Sequence, residues 1–141
     1  MNKNASPSAL VVEGGAMRGI FASGVLDAFI EHDYRPFDFA IGVSAGATNL
    51  LAYLASQHGR SHEILTKLAC SQQFMDPLRF AKGGNLVDIH WLWNTSCRKY
   101  PLDIHAYRET GIPFYAVVTN TLTGKAEYIR VKPENMNEVL P

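Results

Sequence analysis

The 141-residue chain lacks the features that mark several protein classes. It has no excess charge: 13 Lys and Arg balance 13 Asp and Glu. A nucleic-acid binder needs a basic face to neutralise phosphates, so no nucleic-acid partner is expected. No apolar run approaches the ~20 residues that a helix needs to span a bilayer. Met1 to Ser8 is polar and lacks the apolar stretch of a secretory signal. The expected location is therefore cytoplasmic, with at most a peripheral contact with membrane. Cysteine is scarce: Cys70 and Cys97 stand far apart, in no metal-ligand spacing, and are expected as reduced thiols. His58 and His62 are four apart but flank Gly59, which disfavours a shared helix and a metal site. No metal or cofactor is expected. There is no internal repeat and no low-complexity segment.

What is present suits a single globular domain. Hydrophobic residues make up 47% and charged ones 18%. A chain of this length buries roughly 68–70% of its unfolded surface, enough for a true core. Residues 1–8 read as a flexible tail, and residues 9–141 as the folded part. Ala9-Leu10-Val11-Val12 is a continuous apolar run, as in a strand buried on both faces of a parallel sheet. A glycine-rich loop follows, then a helix with Phe21, Ala22, Val25, Leu26 and Phe29 as its apolar face. Gly19, Ser23 and Gly24 permit close packing, and the stretch before Pro36 ends the helix.

Phe37 to Val43 is the next strand. A helix from Ala45 to about His58 is apolar nearly all round and hence buried. Gly59 ends it, and Ser61 is expected to cap a third helix that turns Ile64, Leu65, Leu68 and Ala69 inward. Short helices are expected over 88–93 and 102–109. Ile112 to Thr119 and Ala126 to Val131 read as a hairpin turning at Thr123-Gly124, and a helix begins near Asn135. Strand alternating with helix predicts an α/β layered fold with an at least partly parallel sheet.

Gly42-Val43-Ser44-Ala45-Gly46 is a G-x-S-x-G turn between a strand and a buried helix. Such a turn exposes a serine hydroxyl, and the small flanking residues let strand and helix approach. Ser44 is therefore the candidate catalytic nucleophile, with Gly42 and Gly46 forming its elbow. It would sit where free N–H groups and the helix dipole favour developing negative charge. A bland alternative is that Ser44 only caps the helix.

Glu13-Gly14-Gly15-Ala16-Met17-Arg18-Gly19 also joins a strand to a helix. Its backbone N–H groups can point at an anion, as an oxyanion hole requires. Gly14, Gly15 and Ala16 are the candidate donors, helped by Ala45. Arg18 and Gly19 would position the loop, or Arg18 would attract a negatively charged substrate group. The same loop admits a second reading: Gly14, Ala16 and Gly19 give a weak G-x-A-x-x-G. Asp33 or Asp38 then stands about where a ribose-binding acid falls in a dinucleotide-binding module. That reading leaves the Ser44 turn unexplained.

Together, the acidic residue, glycine run, Arg18-Gly19 and following Gly42-Val43-Ser44-Ala45-Gly46 resemble the patatin-like phospholipase family. Ala16 departs from the usual third glycine but keeps its N–H. The specific motifs cover roughly the first sixty residues. The resemblance implies a three-layer α/β/α fold with a mostly parallel sheet, and hydrolysis of lipid acyl esters by a Ser-Asp dyad. It also implies Ser44 as nucleophile and 14–19 as the oxyanion loop. An ordinary α/β-hydrolase with a His-containing triad fits less well, because the serine comes after only two strands. His90 and His105 are its weak candidates.

The implied base is an aspartate followed by Gly well downstream, and the sequence contains no Asp-Gly. Asp88 and Asp103 read as solvated helix positions, and Asp76, before Pro77, as part of a turn. The chain is thus expected to be the N-terminal portion of a longer hydrolase domain and, alone, inactive or nearly so. Phe74, Met75, Phe80, Trp91, Trp93 and Tyr100 form an aromatic-rich set that would line an acyl pocket, touch a membrane or simply pack.

Overall fold

A computed structural model describes residues 6–140. Most of the expected tail, residues 1–5, lies outside the described residues. Ser8 is tied down: its N–H donates to Asp38 Oδ2 at 2.7 Å and its hydroxyl to the Pro36 carbonyl at 2.5 Å.

The order opens with β1 (Ala9–Val12), α1 (Gly19–Glu31), β2 (Phe39–Val43) and α2 (Ala45–Leu54). Next come α3 (Arg60–Glu63), a π-helical turn (Ile64–Leu68), α4 (Pro77–Ala81), α5 (Ile89–Lys99) and α6 (Ile104–Glu109). β3 (Phe114–Thr119), β4 (Ala126–Arg130) and α7 (Met136–Val139) complete it. The four strands form one sheet in the order β1-β2-β3-β4. β1, β2 and β3 run parallel, and β4 returns antiparallel as a hairpin. Gly124, at φ 68°, makes the hairpin turn, and Asn120 Oδ1 accepts from the N–H groups of Leu122 and Thr123. The chain is thus an α/β domain with a mostly parallel sheet and helices packed on it.

Strand alternation assigns the core. Val12, Ala40, Phe114 and Ala116 point the same way and pack with Leu26 of α1 and Leu50, Leu51, Tyr53 and Leu54 of α2. Each large apolar side chain buried there stabilises the fold by about 1.5–3 kcal/mol. Phe29, Tyr34, Phe37 and Tyr53 cluster around the loop that feeds β2. There the Tyr53 hydroxyl donates to the Tyr34 carbonyl at 2.7 Å, and burial raises its pKa.

Several local expectations need correction. β1 is not buried on both faces: Val11 is 64% exposed, because the core lies on the Val12 side and β1 is an edge strand. On that same outer face, Tyr128 is also exposed. The inward stripe of α1 is only partly the one expected: Leu26 is buried and Ala22 and Phe29 pack against the core. Gly19, Ser23 and Leu26 are buried, whereas Phe21 is 80% exposed and Val25 faces solvent. The smallest residues win the inward positions because α1 approaches α2 closely: a Cβ on Gly19 would stand 3.2 Å from the Ala45 Cβ. Ser61 does not cap α3; Gly59 takes the cap position, at φ 74°, and Ser61 is buried two residues on, in the first turn. The Gly59 N–H donates to Asp27 Oδ1 at 2.9 Å. α4 was not foreseen, and α5 runs to Lys99 rather than ending near Trp93.

Candidate active site

Parallel pairing of β1 with β2 brings the loops after both strands together. Val12 lies opposite Gly42, so Glu13-Gly14 and Val43-Ser44 leave the sheet side by side. The crevice at the carboxyl ends of parallel strands is where α/β sheets bind ligands.

Ser44 occupies the turn into α2 with φ 51° and ψ −125°. That conformation is disfavoured for an L residue by about 1–3 kcal/mol and persists only where the surroundings impose it. Here they do. A Cβ on Gly42 would fall 2.5 Å from Ala47 Cα, and one on Gly46 would land on the carbonyl oxygens of Val12 and Glu13. Both glycines are required by backbone-to-backbone approach. The Ser44 hydroxyl makes no capping bond to α2, and the residue is exposed. Ser44 is thus the N-cap of α2 by position, but its side chain does not cap the helix.

The glycine loop lies against this turn. Gly14 is close enough that a Cβ on it would stand 3.2 Å from the Ser44 Cβ. Ala16 has φ 47°, a conformation that favours glycine, so its side chain adds strain besides filling space. Arg18 folds back over Gly15, its Nε 3.6 Å from where a Cβ would be. The Gly15 carbonyl accepts from the Arg18 N–H at 3.0 Å. Gly19 is anchored from α2: the buried Asn49 Nδ2 donates to the Gly19 carbonyl at 2.8 Å. Among the described residues, the N–H groups of Gly15, Ala16 and Ala45 have no backbone acceptor. The structure thus brings Gly14, Gly15, Ala16, Arg18, Gly19, Gly42, Ser44, Ala45 and Gly46 into one place.

Ser44 opens onto a cavity of about 470 Å³, within the roughly 300–1,000 Å³ of small-molecule sites. Its wall is mainly apolar, with Met17, Ile64, Leu65, Phe74, Leu92, Val117 and Leu140 among the lining residues. Of the aromatic-rich set, Phe74, Met75 and Trp93 reach it. Tyr100 instead donates its hydroxyl to Glu63 Oε2 at 3.3 Å, and Phe80 is exposed. Asn49 and Arg60 are polar members of the wall. Sequence reasoning missed both: nothing in the local pattern of Gly59-Arg60-Ser61 marks a cation that folds inward.

None of the carboxylates or histidines of the described residues lines this cavity. The three aspartates weighed as bases each hold a helix start instead. Asp76 Oδ1 accepts from the N–H groups of Leu78 and Arg79, Asp88 Oδ1 from Trp91, and Asp103 Oδ1 from Ala106. His105 pairs with Glu109 and His58 with Glu31 on the surface. His90 lines a separate cleft with Trp93, Asn94, Cys97, Asn137 and Glu138. The acids needed by the dinucleotide reading are also misplaced. Asp38 precedes β2 and is bound to Ser8 at the amino end of β1, while the glycine loop is at the carboxyl end. Asp33 pairs with Arg35 in the same far loop.

Beside the cavity, residues 74–89 form a small clasp. Met75 bridges Val87, and the Asp76 N–H donates to the Leu86 carbonyl at 2.9 Å. Arg79 ties its inside, donating to the carbonyls of Asn85 at 2.7 Å and Phe74 at 3.0 Å. Leu78, Phe80, Leu86 and Ile89 are exposed on it, Leu78 at 66%.

A family model described as patatin-like phospholipase matches residues 10–132. The chain is also similar to an uncharacterized protein, YjjU, of Escherichia coli (strain K12). The two are 45% identical over 96 residues, covering 68% of this chain and 27% of that protein. The chain thus spans about a quarter of the length of the curated relative it matches. No solved structure matches it significantly.

Proposed function

Because the chain belongs to the patatin-like phospholipase family, a lipid hydrolase type, we propose that Ser44 is the nucleophile of a lipid acyl-ester hydrolase site. The observation that carries this is the strained Ser44 turn, uncapped and exposed at the cavity beside the glycine loop. In this reading the Ser44 Oγ attacks the ester carbonyl carbon as its proton passes to a base. The carbonyl electrons move onto oxygen, which the N–H groups of Gly15, Ala16 and Ala45 receive, with Gly14 shaping the loop. Collapse expels the alcohol, which takes the proton back, and water then releases the acid from Ser44 by the reverse sequence. Arg18 and Gly19 keep the loop in register. The apolar wall takes the acyl chain, and the exposed Leu78, Phe80, Leu86 and Ile89 support a peripheral contact with a lipid surface.

The base is the missing part. The family resemblance calls for an aspartate before glycine, the sequence has no such pair, and Asp76, Asp88 and Asp103 are engaged as helix caps. A serine without its base loses several orders of magnitude in rate. The 141-residue chain is accordingly expected to leave p-nitrophenyl esters essentially unhydrolysed. A polypeptide extended past Pro141 to supply an Asp-Gly should form one adduct with a long-chain fluorophosphonate, at Ser44, lost in Ser44→Ala. Labelling that survives Ser44→Ala, or no labelling in the extended polypeptide, sinks the reading.

A further inference from the structure

Arg60 is a cation that the proposed reaction leaves unused. It is the first residue of α3, only 8% exposed, and lines the same cavity as Ser44. Its Nε donates to the Tyr100 carbonyl at 3.0 Å, and no other hydrogen bond engages its guanidinium among the described residues. No carboxylate of those residues pairs with it, and Arg60 is the one charged residue among those that line the cavity. Arg18, the cation that sequence pattern favours for attracting an anion, lies over Gly15 and is not part of that wall.

A buried guanidinium without an anion is costly, because it gives up water and gains no counter-charge. Arginine stays protonated under all ordinary conditions. Burial lowers the Arg60 pKa, and the neighbouring Cys97 thiol is itself pushed up by burial, so it stays neutral and offers no compensation. The planar fork presents parallel N–H donors of the kind that carboxylate and phosphate oxygens accept in pairs.

We propose that Arg60 is an anion-recognition residue of the Ser44 cavity, selecting amphiphiles that join an apolar chain to a carboxylate or phosphate. This rests on the cavity being the substrate site but not on Ser44 reacting. The anion has two sources, a phosphodiester carried by the substrate and the carboxylate of a released fatty acid, and the test separates them.

Trp93 lies on the cavity wall and reports binding by its fluorescence. The 141-residue chain is titrated with dodecanoate, dodecyl phosphate and 1-dodecanol, which share one tail. Charge-assisted hydrogen bonding predicts a preference for an anion over the alcohol on the order of tenfold or more. Arg60→Met should abolish that preference while 1-dodecanol binds as before, and Arg60→Lys should restore part of it. Tighter dodecyl phosphate assigns the site to the phosphodiester; tighter dodecanoate assigns it to the released acid. Equal binding of all three by the unaltered chain overturns the proposal, even if Arg60→Met fails to fold. So does a preference that persists in a folded Arg60→Met. Because binding needs no reaction, failure of fluorophosphonate labelling at Ser44 counts against the hydrolase reading alone.

Discussion

Residues 9–54 and residues 74–103 both border the cavity, yet they are built in opposite ways. In the first stretch, position is set by backbone packed on backbone. Gly42 and Gly46 have no room for a methyl group, and Ser44 is forced into a strained turn between them. In the second, position is set by side chains bonding locally to backbone. Asp76, Asp88 and Asp103 start the helices, and Arg79 draws the clasp together through carbonyls. Most of the large side chains of the clasp face solvent. The first construction fixes atoms to fractions of an ångström, as a reacting group needs. The second is held by hydrogen bonds made within its own stretch of chain.

Substitutions in the two stretches should have unequal effects. The largest effect is expected from Gly46→Ala, which drives a methyl group into two carbonyl oxygens and should cost about 3 kcal/mol or more. Gly24→Ala, on the open side of α1, should instead gain about 0.5–1 kcal/mol. Urea unfolding midpoints read both, and similar values at the two sites would erase the distinction. Next, Ser44→Gly and Ser44→Ala both remove the hydroxyl, but only glycine relieves the backbone. Ser44→Gly should exceed Ser44→Ala in stability by about 1–2 kcal/mol, read as a higher melting temperature. Equal melting temperatures would show that the turn stores no strain. Smallest globally are Asp76→Ala and Asp88→Ala. Each should cost about 1 kcal/mol of local helix stability, seen as faster amide exchange in α4 or α5 with the unfolding midpoint nearly unchanged. A cooperative loss reaching α2 would show that the clasp and the core are one unit.

This division also explains what could be read from the residues. β1, the glycine loop, α1, β2 and the Ser44 turn were legible because glycines and a continuous apolar run carry geometric demands that sequence displays. The hairpin at Gly124 was legible for the same reason. The face that α1 buries was legible only in part: Leu26, Ala22 and Phe29 pack inward, but Phe21 yields to the smaller Ser23 because α1 approaches α2 closely. α4 was hidden because Asp76-Pro77 reads as a turn, although an aspartate cap followed by proline also starts a helix. Arg60 was illegible, since its burial depends on α5 and the Tyr100 carbonyl forty residues away.

On the outer face of the sheet Val11 and Tyr128 stand exposed, and the formal net charge of the chain is zero at pH 7. A chain without net charge has no mutual repulsion to oppose association, so colloidal stability is lowest near neutral pH. Buffers away from neutrality, or a glutamate at Val11, would keep the chain dispersed without touching the Ser44 side of the fold.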